Sequence, residues 1–289
     1  MALMDEQTAG TAQDLHPLVR RVLAPNPSAF TFHGTQTYIV GHGEVAVIDP
    51  GPHAEAHVDA ILAATAGETI RYIVCTHTHN DHSPAAAPLK AITGAEIIGC
   101  APLALDDSGP RADAAFDRNY APDRVLGDGE TLSGPGWSLV GVETPGHTSN
   151  HLCLALPEAE ALFTGDHVMG WSTTVISPPD GDMADYMASL DKLMARNDTV
   201  YYPAHGDPVD RPQRFVRSLM GHRKQREGQI LRLLNEGEKP IPTMVAKMYV
   251  GLDERLVAAA GRSVLAHLLD LERRGVVIRA GEEGWARAA

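Results

Sequence analysis

Seven residues, Thr76-His77-Thr78-His79-Asn80-Asp81-His82, constrain this chain more than any other stretch. They follow an apolar run, residues 70–75, that reads as a buried strand. Three imidazoles and a carboxylate within six positions are costly to bury unpaired, and they are donors that borderline divalent metals prefer. In an extended loop, residues two apart point the same way. His77 and His79 can therefore grip one ion while Asp81 and His82 face a second. Further donors recur in order as Thr144-Pro145-Gly146-His147, Thr164-Gly165-Asp166-His167 and Pro203-Ala204-His205-Gly206, each after a strand-like run. The carboxyl ends of strands in an α/β layer gather on one rim, where sites on such sheets usually sit. A single His beside a strand is as often structural as a ligand, but the ordered set leaves little room for coincidence.

The runs around these donors predict the scaffold. Strands are expected at 30–32, 35–40 and 44–49, the last two joined by a Gly41-His42-Gly43 turn, and again at 96–100, 137–142, 151–156, 161–164 and 199–202. Helices are expected at 54–65, 183–196 and from Ser83-Pro84 to Gly94, where Pro88 is awkward in an interior position. Interleaved strands and helices imply an α/β fold with buried sheets. Residues 1–15 read as a flexible N-terminal tail and 16–210 as the metal-binding domain. In residues 211–289, helices at 211–235 and 243–249, a third apolar stripe up to Arg274 that Gly261 can split, and a terminal hairpin suggest a winged helix.

Charge sharpens that division. The chain has 289 residues and a net charge of −13. Residues 1–210 hold nine basic against 28 acidic side chains, whereas 211–289 hold 15 against nine. Such a sign change is a boundary signal. No stretch approaches 18 consecutive apolar residues, so no membrane partner is expected. The acidic N-terminus lacks the apolar core of a secretory signal, and three scattered cysteines make no disulfide framework. A reducing, cytoplasmic setting is the expectation.

With Asp49 in Val-Ile-Asp-Pro-Gly, the chain resembles the metallo-β-lactamase-fold hydrolases, matching that superfamily's five motifs in order. More narrowly it resembles the β-lactamase-like protein 2 family, which is endoribonuclease-like. The shared segments are GTQTYIV, TGDHVMG, DYMASL, YYPAHG and HRKQREGQIL, with a winged-helix-like tail. The resemblance implies a four-layer αββα sandwich with a small C-terminal winged-helix-like domain. It also implies two divalent ions, one held by His77, His79 and His147 and the other by Asp81, His82 and His205, with Asp166 bridging. Asp49 is expected behind the ligands, orienting their loop. His151 and His167 fall outside the family pattern and are assigned structural or surface roles. Zinc is the expected metal, since nitrogen and oxygen donors without thiolate suit it. Manganese and iron suit them too.

Two such ions would lower the pKa of a shared water and give hydroxide near neutral pH, with Asp81 orienting it as the catalytic carboxylate. The proton donor to the leaving group is not identified; Tyr186, His222, Thr148 and Ser149 are candidates. Two substrates compete. The family resemblance implies phosphodiester bonds of single-stranded RNA, and Arg211, Arg214, Arg217, Arg223, Lys224 and Arg226 can track a phosphate backbone. The alternative is a small-molecule thioester, lactone or carboxylic ester, as in glyoxalase II or lactonase relatives. The acidic catalytic part favours it by repelling polyanions, and few aromatics are available for base stacking. Tyr186, His222, Arg223 and Lys224 are candidate substrate contacts, and the amphipathic C-terminal helices suggest a homodimer.

Overall fold

The computed structural model describes residues 8–103, 105, 116–281 and 283–288. A first sheet of seven strands takes them in chain order: β1 (Ala12–His16), β2 (Val19–Leu23), β3 (Gln36–Val40), β4 (Glu44–Ile48), β5 (Thr69–Cys75), β6 (Glu96–Gly99) and β7 (Arg124–Val125). β1 to β4 pair antiparallel, and β4 to β7 run parallel through crossovers. Helices α1 (Glu55–Ala64) and α2 (Ala86–Thr93) form the first two of those crossovers. A second sheet of five strands comprises β8 (Thr131–Gly134), β9 (Trp137–Glu143), β10 (Leu152–Leu156), β11 (Ala161–Gly165) and β12 (Val200–Pro203). Helix α3 (Met183–Met194) connects β11 to its parallel neighbour β12.

The two sheets face each other across one core, in which Ile39, Val47 and Ile73 of the first meet Leu139, Leu154 and Phe163 of the second. Val58, Ile61 and Leu89 of α1 and α2 join that cluster from outside the first sheet. On the far side of the second sheet, Val142, Cys153 and Leu162 pack on Tyr186, Leu190 and Leu193 of α3. Burial on both faces explains why β10 is apolar without alternation. The result is a helix–sheet–sheet–helix sandwich. The three cysteines are free and buried within it.

The C-terminal part begins with α4 (Pro212–Asn235), followed by β13 (Lys239–Pro240), α5 (Ile241–Met248), α6 (Val257–Arg273), β14 (Val277–Ala280) and β15 (Gly284–Arg287). The last two strands form an antiparallel wing, with β13 on the other edge of β15. Helix α4 belongs to two cores. Its Val216 and Leu219 pack with α3, while Ile230 and Leu234 pack with Val264 and Leu268 of α6.

Several sequence readings are corrected. Residues 12–15 are not a loose tail, because β1 pairs with β2 from Ala12 onward; residues 1–7 lie outside the described residues. Residues 30–32 are not a strand, since Phe32 has a left-handed φ of 58°. Ser83 does not cap α2: its hydroxyl donates to Asp117 and the helix starts at Ala86. Pro88 is then the third helical residue, where a backbone N–H has no intrahelical partner to lose. Gly261 does not interrupt α6.

Candidate metal centre

Four loops meet at one rim of the sandwich. They follow the carboxyl ends of β5, β9, β11 and β12, and carry His77 to His82, His147, Asp166 and His205. Backbone bonds lace them together: Leu152 N–H donates to Thr76 O at 2.8 Å and Ala204 N–H to Gly165 O at 3.0 Å. Gly146 lets the second loop turn inward. Its φ is 134°, and a Cβ there would lie 2.3 Å from the Tyr186 backbone.

The seven predicted ligands form two groups. One comprises His77, His79, His147 and Asp166, all buried, and the other Asp81, His82 and His205. In the first, Nδ1 of His79 lies 3.1 Å from Nε2 of His77 and 3.1 Å from Nε2 of His147. In the second, Nε2 of His205 lies 3.2 Å and Nε2 of His82 3.4 Å from Oδ2 of Asp81. Asp166 divides its oxygens between them: Oδ2 faces His147 at 3.5 Å, while Oδ1 faces His205 at 3.3 Å and His82 at 3.5 Å.

The remaining ring nitrogens explain this aim. His147 Nδ1 pairs with Val175 O at 2.7 Å and His205 Nδ1 with Gly34 O at 3.2 Å, so each donates there and keeps Nε2 as a lone pair. Asp49 Oδ1 accepts Thr76 N–H at 2.8 Å, and its Oδ2 accepts the Thr76 hydroxyl at 2.8 Å and pairs with His82 Nδ1 at 3.1 Å. The Thr76 hydroxyl, once it donates to Asp49, accepts Nδ1–H of His77 at 3.0 Å. Converging imidazole lone pairs with carboxylates between them fit divalent cations. Burial drives the His77 pKa well below its ordinary value, and the neighbouring imidazoles add to this. His82 goes the other way: burial alone would lower it, but Asp81 and Asp166 lift it well above.

Other predicted residues fall elsewhere. Tyr186 is fully buried, its hydroxyl donates to His167 O and the Arg223 guanidinium covers its ring, so it is no substrate contact. Arg223 is also buried and donates to Thr174 O. Lys224 is exposed on the outer face of α4, and His222 lines a cavity described below. His151, expected in a structural or surface role, has a structural one. Its Nε2 accepts Asp166 N–H at 3.2 Å and its Nδ1 pairs with the Thr144 hydroxyl at 2.9 Å, so it is a strut beneath the bridging carboxylate.

A family model described as the metallo-beta-lactamase superfamily matches residues 30–205, which is more than half of the chain and spans every ligand. The chain belongs to the metallo-beta-lactamase superfamily. A beta-lactamase associated winged helix domain matches residues 241–285. Among superfamily relatives, the beta-lactamase-like protein 2 homolog of Caenorhabditis elegans is 35% identical over 231 residues, covering 78% of this chain and 74% of that protein. An atrochrysone carboxyl ACP thioesterase of Aspergillus fumigatus is 34% identical over 224 residues, covering 75% and 65% respectively. A beta-lactamase domain protein structure from Burkholderia ambifaria aligns over 99% of this chain and 96% of its own, with a TM-score of 0.83 at 21% identity. With the ligand geometry, this makes the chain a metallo-beta-lactamase superfamily hydrolase. Among the described residues, no helix is long and apolar enough to cross a membrane.

Proposed function

We propose that this hydrolase acts on small-molecule carboxylic thioesters and esters. The observation that carries the reading is a cavity of about 180 Å³ between the two domains, walled by Val175, Leu252, Leu256 and Ala259. Two of its lining residues also support the metal centre: Val175 orients His147, and the Thr174 hydroxyl donates to Asp166 O at 2.6 Å. An apolar cavity of roughly 150 Å³ accepts benzene, so an acyl group of ring size fits in it. The thioesterase relative supports the same chemistry.

The single-stranded RNA reading loses two of its six basic side chains. Arg223 is buried against Tyr186, and Arg226 donates to Met248 O and stacks on Tyr249. Arg211, Arg214, Arg217 and Lys224 do remain exposed along α4, which keeps RNA as the competing substrate.

When bound, two divalent ions supply a water activated toward neutral pH and positive charge for a carbonyl oxygen. We take zinc as the resident metal from the nitrogen and oxygen donor set. Asp81, its side chain 17% exposed, is the ligand most open to the cleft, and it is the group placed to hold the proton of an incoming water. Burial tends to raise its pKa, but His82 and His205 outweigh this and keep it ionised. Asp49, Thr76 and the Val175 carbonyl hold the imidazoles in the tautomer that binds. The three free cysteines suit a reducing, cytoplasmic setting.

Purified zinc-loaded protein should hydrolyse an aryl-acyl thioester and leave labelled single-stranded RNA intact. Thioester kcat/KM should change less than about twofold between 50 and 200 mM salt, whereas binding through several phosphates would weaken steeply. RNA cleavage without thioester hydrolysis would overturn the reading.

A further inference from the structure

The interdomain cavity has a polar side that its apolar walls do not explain. Arg223 is 3% exposed and lines the cavity, yet its Nε finds no hydrogen-bond partner among the described residues. Beside it, Nε2 of His222 accepts a hydrogen bond from Nε of Arg226 at 3.3 Å. The other nitrogen, Nδ1, therefore carries the proton of a neutral ring; it too is buried and unpaired. Burial, with Arg223 and Arg226 beside it, lowers the His222 pKa to about 4 and keeps that ring neutral.

The charges are also unbalanced. Arg223 bonds a carbonyl oxygen and covers the Tyr186 ring, while Arg226 bonds Met248 O, the Gln229 amide oxygen and His222, and covers Tyr249. None of these partners is a carboxylate. Glu227, the next residue along α4, is taken by Arg274, and among the described residues no acidic side chain lines the cavity. A buried guanidinium without a counter-ion is costly unless a ligand brings one.

We propose that this cavity binds a carboxylate on an apolar, ring-sized body, with the carboxylate at Arg223, Arg226 and His222 and the body against Leu252, Leu256 and Ala259. Resting on the thioester reading, this specifies the acyl group: one whose far end carries a carboxylate. The same chemistry could reach the cavity as a free acid, so two arms separate the sources.

Trp171 lines the cavity and stacks on Phe32 at 4.8 Å, which supplies a fluorescence reporter that Trp171→Phe would identify. In the first arm, phenylacetate is titrated into zinc-loaded protein, with phenylacetamide as its neutral counterpart. Phenylacetate should quench Trp171 saturably and phenylacetamide should bind at least about tenfold more weakly. Arg226→Gln should weaken phenylacetate by a similar factor, while Arg226→Lys, which keeps the charge, recovers most of it. Arg226 is half-buried, so this pair stays readable even if Arg223→Met fails to fold. Equal binding of acid and amide overturns the proposal. So does phenylacetate binding that ignores Arg226→Gln, since a carboxylate seated on the metals would behave that way.

In the second arm, a benzoyl thioester bearing a para-carboxylate is compared with its para-methyl counterpart. A higher kcat/KM for the carboxylate, abolished by Arg226→Gln, assigns the cavity to substrate. Acid binding without that preference assigns it to a free carboxylate and overturns the acyl assignment. Acid binding with no thioester hydrolysed at all sinks the proposed activity but not the cavity's ligand.

Discussion

The Asp49 carboxylate stands 3.1 Å from Nδ1 of His82, and through the Thr76 hydroxyl the same oxygen reaches Nδ1 of His77. His82 and His77 belong to different groups of ligands, so one carboxylate that lies in neither group sets a tautomer in each. Asp49 sits at a left-handed φ of 47°, which Asn also tolerates. Asp49→Asn should therefore preserve the loop while weakening the pairing. We expect metal affinity to fall by about 10–100-fold, read by chelator competition with the fold monitored by circular dichroism. Unchanged affinity for both ions would remove Asp49 from this role.

Asp166 and His205 should differ in stoichiometry. His205 lies in one group only, whereas Asp166 presents an oxygen to each. His205→Ala should retain close to one metal per chain by elemental analysis. Asp166→Ala should lose affinity at both sites. One ion retained tightly in Asp166→Ala would show that the carboxylate serves a single ion.

Gly146 offers a test of the loop behind His147. Adding a Cβ at φ 134° forces contact with the Tyr186 backbone rather than a side chain that can swing away. Gly146→Ala should destabilise the fold by about 1–3 kcal/mol in urea titration and lower metal affinity at the His147 group. A variant as stable as the parent would mean that the loop has room to shift.

His267 governs part of the acid response. It is buried in α6, and neither ring nitrogen finds a hydrogen bond among the described residues. Burial lowers its pKa to about 3, with Arg223, His222 and Arg226 of α4 and Arg274, just past the end of α6, adding to this. Unfolding restores an ordinary value near 6.5, so between these values the unfolded chain binds a proton that the folded one refuses. Stability is present in full above about pH 6.5 and drains away as pH falls toward 3, at up to about 1.4 kcal/mol per unit. His267→Leu should flatten the difference in urea midpoint between pH 7.5 and pH 5. Parallel curves for parent and variant would rule it out.

The ligand set was legible because its chemistry is dense in sequence and each donor follows an apolar run. The resemblance put Asp49 behind the ligands but did not give its particular partners, which lie 27 and 33 residues away and depend on how β4 and β5 pair. Arg223 is an instructive miss. It was expected to track a phosphate backbone or touch substrate, yet it sits four and seven residues past Leu219 and Val216 and seven before Ile230, on one buried stripe of α4. Spacing could have placed it; residue type argued otherwise. β1 was hidden because its sequence, Ala-Gln-Asp-Leu-His, belongs to a half-exposed edge that makes no apolar run.

Helix α4 has an evolutionary consequence. Its first half completes the packing of the sandwich and its second half that of the winged helix, so the chain offers no place between them to be cut without stripping one core. A winged helix joined by a loop could be exchanged among proteins as a cassette. This one could be acquired or lost only together with half of a helix already committed to the catalytic layer. Its sequence and that of the α3 face should drift in step.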